Sequence, residues 1–346
     1  VVVENQQAVF FIAQQQLPLA QTLLAKAKIK VSFKAVNMRH FSGVDCTACY
    51  FNDSSSLYKA RAQLEEQINI YEGDIRHSDR FLMERFIKGG VWVTGEALQK
   101  NGFIEITQAK LKANPNYTPQ LASLSLDIEC NAEGVLFSVG LVGNGLDCVL
   151  MIGEPQPHSN AFSIDWCVDE INLLQKLQCY ITSNDPDVIV GWNVIEFDFS
   201  VLNARAEALG LVLNLGRDQQ PLTIRTGHYT RLTLPGRSVI DGIDTLKNAT
   251  YHFDSYSLAN ISHKVLGESK LIQADNRLSE IIRQFNHDKL ALAAYNRQDC
   301  ILVNRIFVKL KLFEFAIVRT QLTGLELERM GGSVAAFTNL YLPSLH

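Results

Sequence analysis

Lys28-Ile29-Lys30-Val31-Ser32-Phe33-Lys34-Ala35 alternates strictly, with Ile29, Val31, Phe33 and Ala35 on one face and three lysines and a serine on the other. A period of two predicts a half-buried strand. The spacing of Leu57, Ala60, Arg61 and Leu64 predicts a helix over Ser54–Gln67. Further on, Leu121–Cys130, Val135–Val142 and Asp147–Ile152 are short apolar runs separated by Glu133-Gly134 and Gly143-Asn144-Gly145. Turn residues between such runs predict three consecutive antiparallel strands. Helix and strand then alternate: helices over Asp169–Thr182 and Glu196–Leu209, a strand over Asp187–Gly191, a loop rich in Gly and Pro, and a strand at Ser238–Asp241. Helices over Ser257–Leu266 and Lys289–Phe315 close the pattern. The fold class is α/β, a mixed sheet flanked by helices, with a smaller α+β domain ahead of it. The Asn-, Gly- and Pro-containing stretch 101–120 is the best boundary, dividing the chain near residue 118.

Composition narrows the classes. The chain has 346 residues, 47% hydrophobic and 20% charged, which suits two globular domains. No stretch approaches the roughly 18–20 apolar residues of a membrane span, so no membrane partner is expected. A net charge of −4 argues that any nucleic-acid contact is local, since blanket attraction to a polyanion needs a basic protein. One local basic tract exists: Lys26, Lys28, Lys30, Lys34 and Arg39 with no acid between Glu4 and Asp45. It reads equally as a backbone-binding surface or as a lysine-lined edge that resists aggregation. Seven scattered cysteines are no disulfide framework and fit a reducing cytoplasm. Cys46-x-x-Cys49 is half of a zinc site with no second half, so two buried small residues is the simpler reading.

Three clusters carry candidate chemistry. In Leu124–Cys130, Leu124, Leu126, Ile128 and Cys130 point one way while Ser125, Asp127 and Glu129 point the other. Neighbouring carboxylates at the end of an apolar strand repel unless a cation lies between them, and hard divalent ions want such oxygens. A solvated strand end is the plain alternative. The second cluster, Gly191–Asp198, lies where a strand ends and a helix begins, the place where open α/β sheets collect ligands. Asn193 and Asp198 there also read as ordinary turn and capping residues. In the third, Tyr295 and Asp299 share a helix face, beside a core stripe of Leu292, Leu302, Val303, Ile306 and Phe307.

In this order, Asp-Ile-Glu, Asn-x-x-x-Phe-Asp and Tyr-x-x-x-Asp resemble the three exonuclease motifs of family B DNA polymerases, which have a ribonuclease-H-like exonuclease domain. Phe81–Ile87, Pro186–Asn193 and Gly331–Phe337 are similar to a bacterial branch of that family, so the likeness covers nearly the whole chain. The resemblance implies that Asp127, Glu129, Asp198 and Asp299 hold two divalent ions, Mg²⁺ or Mn²⁺, and that Tyr295 positions the attacking water. It implies that Asn193, Phe197, Ser257 and Leu258 hold a single-stranded 3′ primer end. Many relatives carry Thr after the Asp-x-Glu pair, so Cys130 would stand at a contact to the terminal nucleotide.

The implied activity is proofreading 3′→5′ hydrolysis within a DNA polymerase of replication and repair. A decayed exonuclease would lack a carboxylate, and none is missing. The family's palm motifs do not occur, Tyr341-Leu342-Pro343-Ser344 being only an echo. By the resemblance the chain therefore reads as an amino-terminal portion: an amino-terminal domain over 1–118, an exonuclease domain over 119–329 and a tail of 330–346 that returns to the first domain. A cytoplasmic monomer is expected, with any sliding clamp contacted through a part beyond this chain.

Overall fold

The computed structural model describes residues 6–100, 103–159, 161–227, 230–268, 277–329 and 331–338. The chain divides into two compact units, Val1–Ile87 and Lys88–His346.

The first unit contains β1 (Ala8–Ala13), α1 (Leu17–Lys26), β2 (Ser32–Arg39), β3 (Asp45–Phe51), α2 (Ser54–Leu64), β4 (Ile70–Tyr71) and α3 (His77–Met83). Its sheet has the order β2-β3-β1-β4. Asp53 caps α2 by accepting from the Ser56 amide at 2.8 Å. The first predicted strand starts later than its alternation suggests. Ile29 and Val31 precede β2 and still pack against the core with Phe33, whereas Ala35, where the pairing with β3 becomes irregular, is exposed. Cys46 and Cys49 lie in different core clusters, on opposite faces of β3, so they cannot share one ion.

The second unit opens with an exposed ribbon of β5 (Val91–Gln99) and β6 (Ile104–Ala113). Three antiparallel strands follow as expected: β7 (Ser123–Cys130), β8 (Leu136–Gly143) and β9 (Leu146–Ile152). Then come β10 (Ser163–Cys167), α4 (Glu170–Asn184), β11 (Val188–Gly191) and α5 (Asp198–Ala208). A small ribbon, β12 (Thr223–Arg225) with β13 (Arg231–Thr233), leads to β14 (Ser238–Asp241). The remaining helices are α6 (Gly242–Asn248), α7 (Leu258–Leu266), α8 (Arg277–His287), α9 (Lys289–Lys309), α10 (Leu312–Thr323) and the short α11 (Ser333–Ala336). The main sheet runs β10-β9-β8-β7-β11-β14, with β10, β11 and β14 parallel to their neighbours. It is the mixed sheet flanked by helices that the pattern predicts.

Strand alternation sorts the two faces. Leu124, Leu126, Ile128 and Cys130 of β7 join Leu173, Leu174 and Leu177 of α4 and Phe199 and Leu202 of α5 in one core. On the opposite face, Val188 and Val190 of β11 pack with Leu302, Val303, Ile306 and Phe307 of α9. Two boundaries differ from expectation. The helix expected from Glu196 begins at Asp198, and the single helix expected over Lys289–Phe315 is two. Lys311, at φ 53°, breaks it, and the redirected chain brings Leu312 and Ala316 into the same core as Ile306 and Phe307. Of the predicted tail, only 331–338 falls within the described residues. No helix of the described residues is long and apolar enough to cross a membrane.

Candidate functional site

The polar face of β7 meets the buried face of α9. Asp127 and Glu129 come from the strand, and Asp299 from the helix; all three are buried. Each offers a carboxylate oxygen, and these oxygens lie within 4.8 Å of one another. A cation with ligands at 2.0–2.6 Å spans oxygens roughly 4–5 Å apart, so the spacing suits a single hard ion. Glycine at position 140 lets the helix come this close. A Cβ there would lie 3.0 Å from Cys300 Sγ and 3.2 Å from the Asn296 carbonyl oxygen.

Asp198 arrives from a different direction. Strand β11 pairs with β7 only along Ser123–Ser125, then ends at Gly191. A side chain at 191 would strike Val194 at 2.6 Å and the Leu126 carbonyl at 2.8 Å, so glycine lets the chain turn away there. Asn193 adopts the left-handed conformation (φ 61°) that asparagine tolerates, and its carbonyl accepts from the Phe197 amide. The turn delivers Asp198, 2% exposed, to the uncovered stretch of β7, where its Oδ1 accepts from the Ile128 amide at 2.9 Å. Asp198 is thus no exposed capping acid. Burial, then the charge of Asp127, holds its carboxyl well above the usual range.

Tyr295 lies one helical turn before Asp299 and is buried. Burial, then the adjacent Asp299 charge, raises its phenol above the usual range, which favours the protonated form. Arg277, the first residue of α8, approaches the cluster from outside. Its guanidinium is 3.6 Å from Glu129 Oε1 and 3.9 Å from Asp299 Oδ2, and 5.9 Å from the Tyr295 ring centre. Asn296 donates to Asp127 from within α9. Neither Arg277 nor Asn296 was singled out in the sequence. Arg277 has no local signal, whereas Asn296 is a polar residue on the helix's periodic apolar stripe.

The remaining sequence candidates are dispersed. Phe197 is 44% exposed and, with Cys130 and Arg277, walls an open groove of about 710 Å³ beside Glu129. Cys130 packs in the core with Ile128; burial, followed by the Glu129 charge, pushes its thiol up to about 11. Asn193 is exposed. Ser257 caps α7 by accepting from the Asn260 amide, while Leu258 packs in the core beneath α9.

Fold and site together define a ribonuclease-H-like α/β domain with an acid centre suited to a divalent cation. Residues 146–261 match the family described as DNA polymerase family B, exonuclease domain. The chain is 38% identical over 349 residues to DNA polymerase II of Escherichia coli (strain K12), covering 99% of this chain and 44% of that protein. It is 24% identical to the DNA polymerase delta catalytic subunit of Caenorhabditis elegans, over 83% of this chain and 32% of that one. A family B DNA polymerase from the archaeon Pyrobaculum calidifontis shares the fold, with a TM-score of 0.72 at 18% identity over 95% of this chain and 43% of that structure. Residues 146–261 thus carry the exonuclease domain of family B DNA polymerases, and the chain spans less than half the length of these relatives.

Proposed function

We propose that this chain is the proofreading part of a DNA polymerase, removing nucleotides from a single-stranded or frayed 3′ end by metal-dependent hydrolysis. The convergence of Asp127, Glu129 and Asp299 within 4.8 Å, with Asp198 fastened to the same strand, carries the reading. In this assignment residues 1–118 are the polymerase's amino-terminal domain and 119–329 its exonuclease domain. The four carboxylates would hold two ions, Mg²⁺ or Mn²⁺, with Asp127, Glu129 and Asp299 spaced for one of them, and anionic buried oxygens suit such hard ions. When bound, the ions supply Lewis-acid activation of water and stabilisation of the departing 3′ oxygen.

The chain's own groups do the rest. Tyr295, protonated, orients the attacking water by hydrogen bond. Phe197 offers an exposed ring on which the last base stacks, a contact indifferent to sequence and therefore suited to editing. Asn193 and Ser257 stand at exposed positions for the strand's backbone, with Leu258 and Cys130 as packing beneath. Arg277 offsets part of the acid charge at the groove mouth and gives an incoming phosphate a cation to meet.

In the longer protein the activity serves DNA replication and repair. The protein is cytoplasmic and monomeric, and any sliding clamp is met through parts outside this chain. Incubation with end-labelled single-stranded DNA tests the proposal. Mononucleotide release from the 3′ end in Mg²⁺ supports it; activity surviving EDTA, or release from the 5′ end, overturns it.

A further inference from the structure

Asp127 pairs with Gly140 across β7 and β8, and Glu129 pairs with Ser138, so these four residues form a patch facing α9. Asn296 lies over that patch, fully buried. Its Nδ2 donates to the Asp127 backbone oxygen at 3.1 Å and to Asp127 Oδ2 at 2.7 Å. Its Oδ1 accepts from Ser138 Oγ at 3.0 Å.

We infer that Asn296 is a positioning residue that fixes the rotation of the Asp127 carboxylate for cation binding, and that Ser138 fixes Asn296. The inference rests on reading the acid cluster as a divalent-cation site. The chemistry of the network allows one amide orientation only. Turned over, the amide oxygen would face two acceptor oxygens of Asp127, and its NH₂ would face the hydroxyl. A carboxylate already held in its binding rotation loses less freedom when an ion arrives. A neutral donor also suits this place better than Lys or Arg, which would hold Asp127 but cancel the charge that attracts the ion. Gly140 belongs to the device, because a Cβ there would press on Asn296 Cγ at 3.3 Å.

A purely structural Asn296, joining helix to sheet, would affect folding but not ion affinity in the folded protein. The test is therefore Mn²⁺ binding by the full chain, read as loss of the free-ion electron paramagnetic resonance signal, alongside thermal melting in EDTA. Asn296→Ala should weaken Mn²⁺ binding by roughly 10–100-fold, the usual cost of removing a partner that orients a metal ligand. Ser138→Ala, which leaves Asn296 in place but frees its amide, should weaken it in the same direction by less. If Asn296→Ala does not fold, Ser138→Ala decides. Wild-type protein that binds no Mn²⁺ would remove the cation reading and this inference with it. Wild-type binding with the folded variants indistinguishable from it would overturn the inference alone.

Discussion

The Ile128 amide donates to the Asp198 carboxylate at 2.9 Å, and this bond does the work of a missing strand. Beyond Ser125 the edge of β7 has no further pairing with β11, and a buried amide left unpaired costs about 1–3 kcal/mol. The acid thus satisfies the backbone while its charge is added to the site. The two roles separate in Asp198→Asn, which keeps an acceptor oxygen but loses the charge. Because the folded-state pKa of Asp198 is raised, its contribution to stability is present below about 3.8 and is lost as pH rises through the folded value. In EDTA at neutral pH the variant should melt at the same temperature or higher. Its 3′ hydrolysis in Mg²⁺ should fall by more than the roughly 10–100-fold typical of outer partners. A clearly lower melting temperature in EDTA would mean the charge itself holds the edge.

Asp241 offers a cleaner titration away from the cluster. It ends β14 and caps α6, accepting from the Ile243 amide at 2.8 Å and the Asp244 amide at 3.2 Å. Burial, then the Asp244 charge, raises its pKa from 3.8 to about 6. Between those values the unfolded chain releases the proton while the folded protein keeps it, so stability falls with rising pH. At about 1.4 kcal/mol per unit the loss is at most roughly 3 kcal/mol. Asn caps helices as well as Asp does. Urea unfolding should show Asp241→Asn gaining on wild type between pH 4 and pH 7; equal differences at both pH values would contradict the shift.

Much of this site was legible because strands and helices write their faces in simple periods. The alternation of Leu124–Cys130 put Asp127 and Glu129 on one face, and that is the face α9 covers. The meander β7-β8-β9 followed from its turn residues. What escaped was set by partners distant in sequence. The resemblance named Asp198 among the metal-binding acids, but its local pattern fitted a helix-capping acid equally well, because nothing local reveals that β11 stops short of Ile128. The break at Lys311 carries no Gly or Pro; it follows from where Leu312 and Ala316 find their core. Asn296 was within reach, since a polar residue in line with Leu292, Asp299 and Val303 demands a buried partner.

Phe197 is exposed and contributes little to the core, so Phe197→Ala should leave the melting temperature nearly unchanged. If its ring carries the terminal base, losing a stack of about 1–3 kcal/mol should raise KM for single-stranded DNA by roughly 5–150-fold. Melting and steady-state kinetics on the same preparation check both halves. An unchanged KM would make the groove beside Glu129 something other than the primer-end site.

The resemblance puts Cys130 at a contact to the terminal nucleotide, and the structure turns that expectation into a measurable choice. The sulfur lies on the core side of β7 with Leu124, Leu126 and Ile128, and is 8% exposed. A thiol there behaves as a small hydrophobe, whereas a hydroxyl needs a partner. Yet the pairing of β7 with β8 shifts between Glu129 and Cys130, and residue 130 borders the groove that holds Phe197. Two effects of Cys130→Thr therefore oppose each other. A hydroxyl buried without a partner costs about 1–3 kcal/mol, while a new bond to a terminal nucleotide gains about 0.5–1.5 kcal/mol in binding. The burial decides the expectation: the variant should lose stability by urea unfolding. Its dissociation constant for a labelled 3′ end, measured in Ca²⁺ to prevent hydrolysis, should not change. Tighter binding with intact stability would instead place residue 130 against the DNA, its hydroxyl reaching out of the strand at the pairing irregularity beside it.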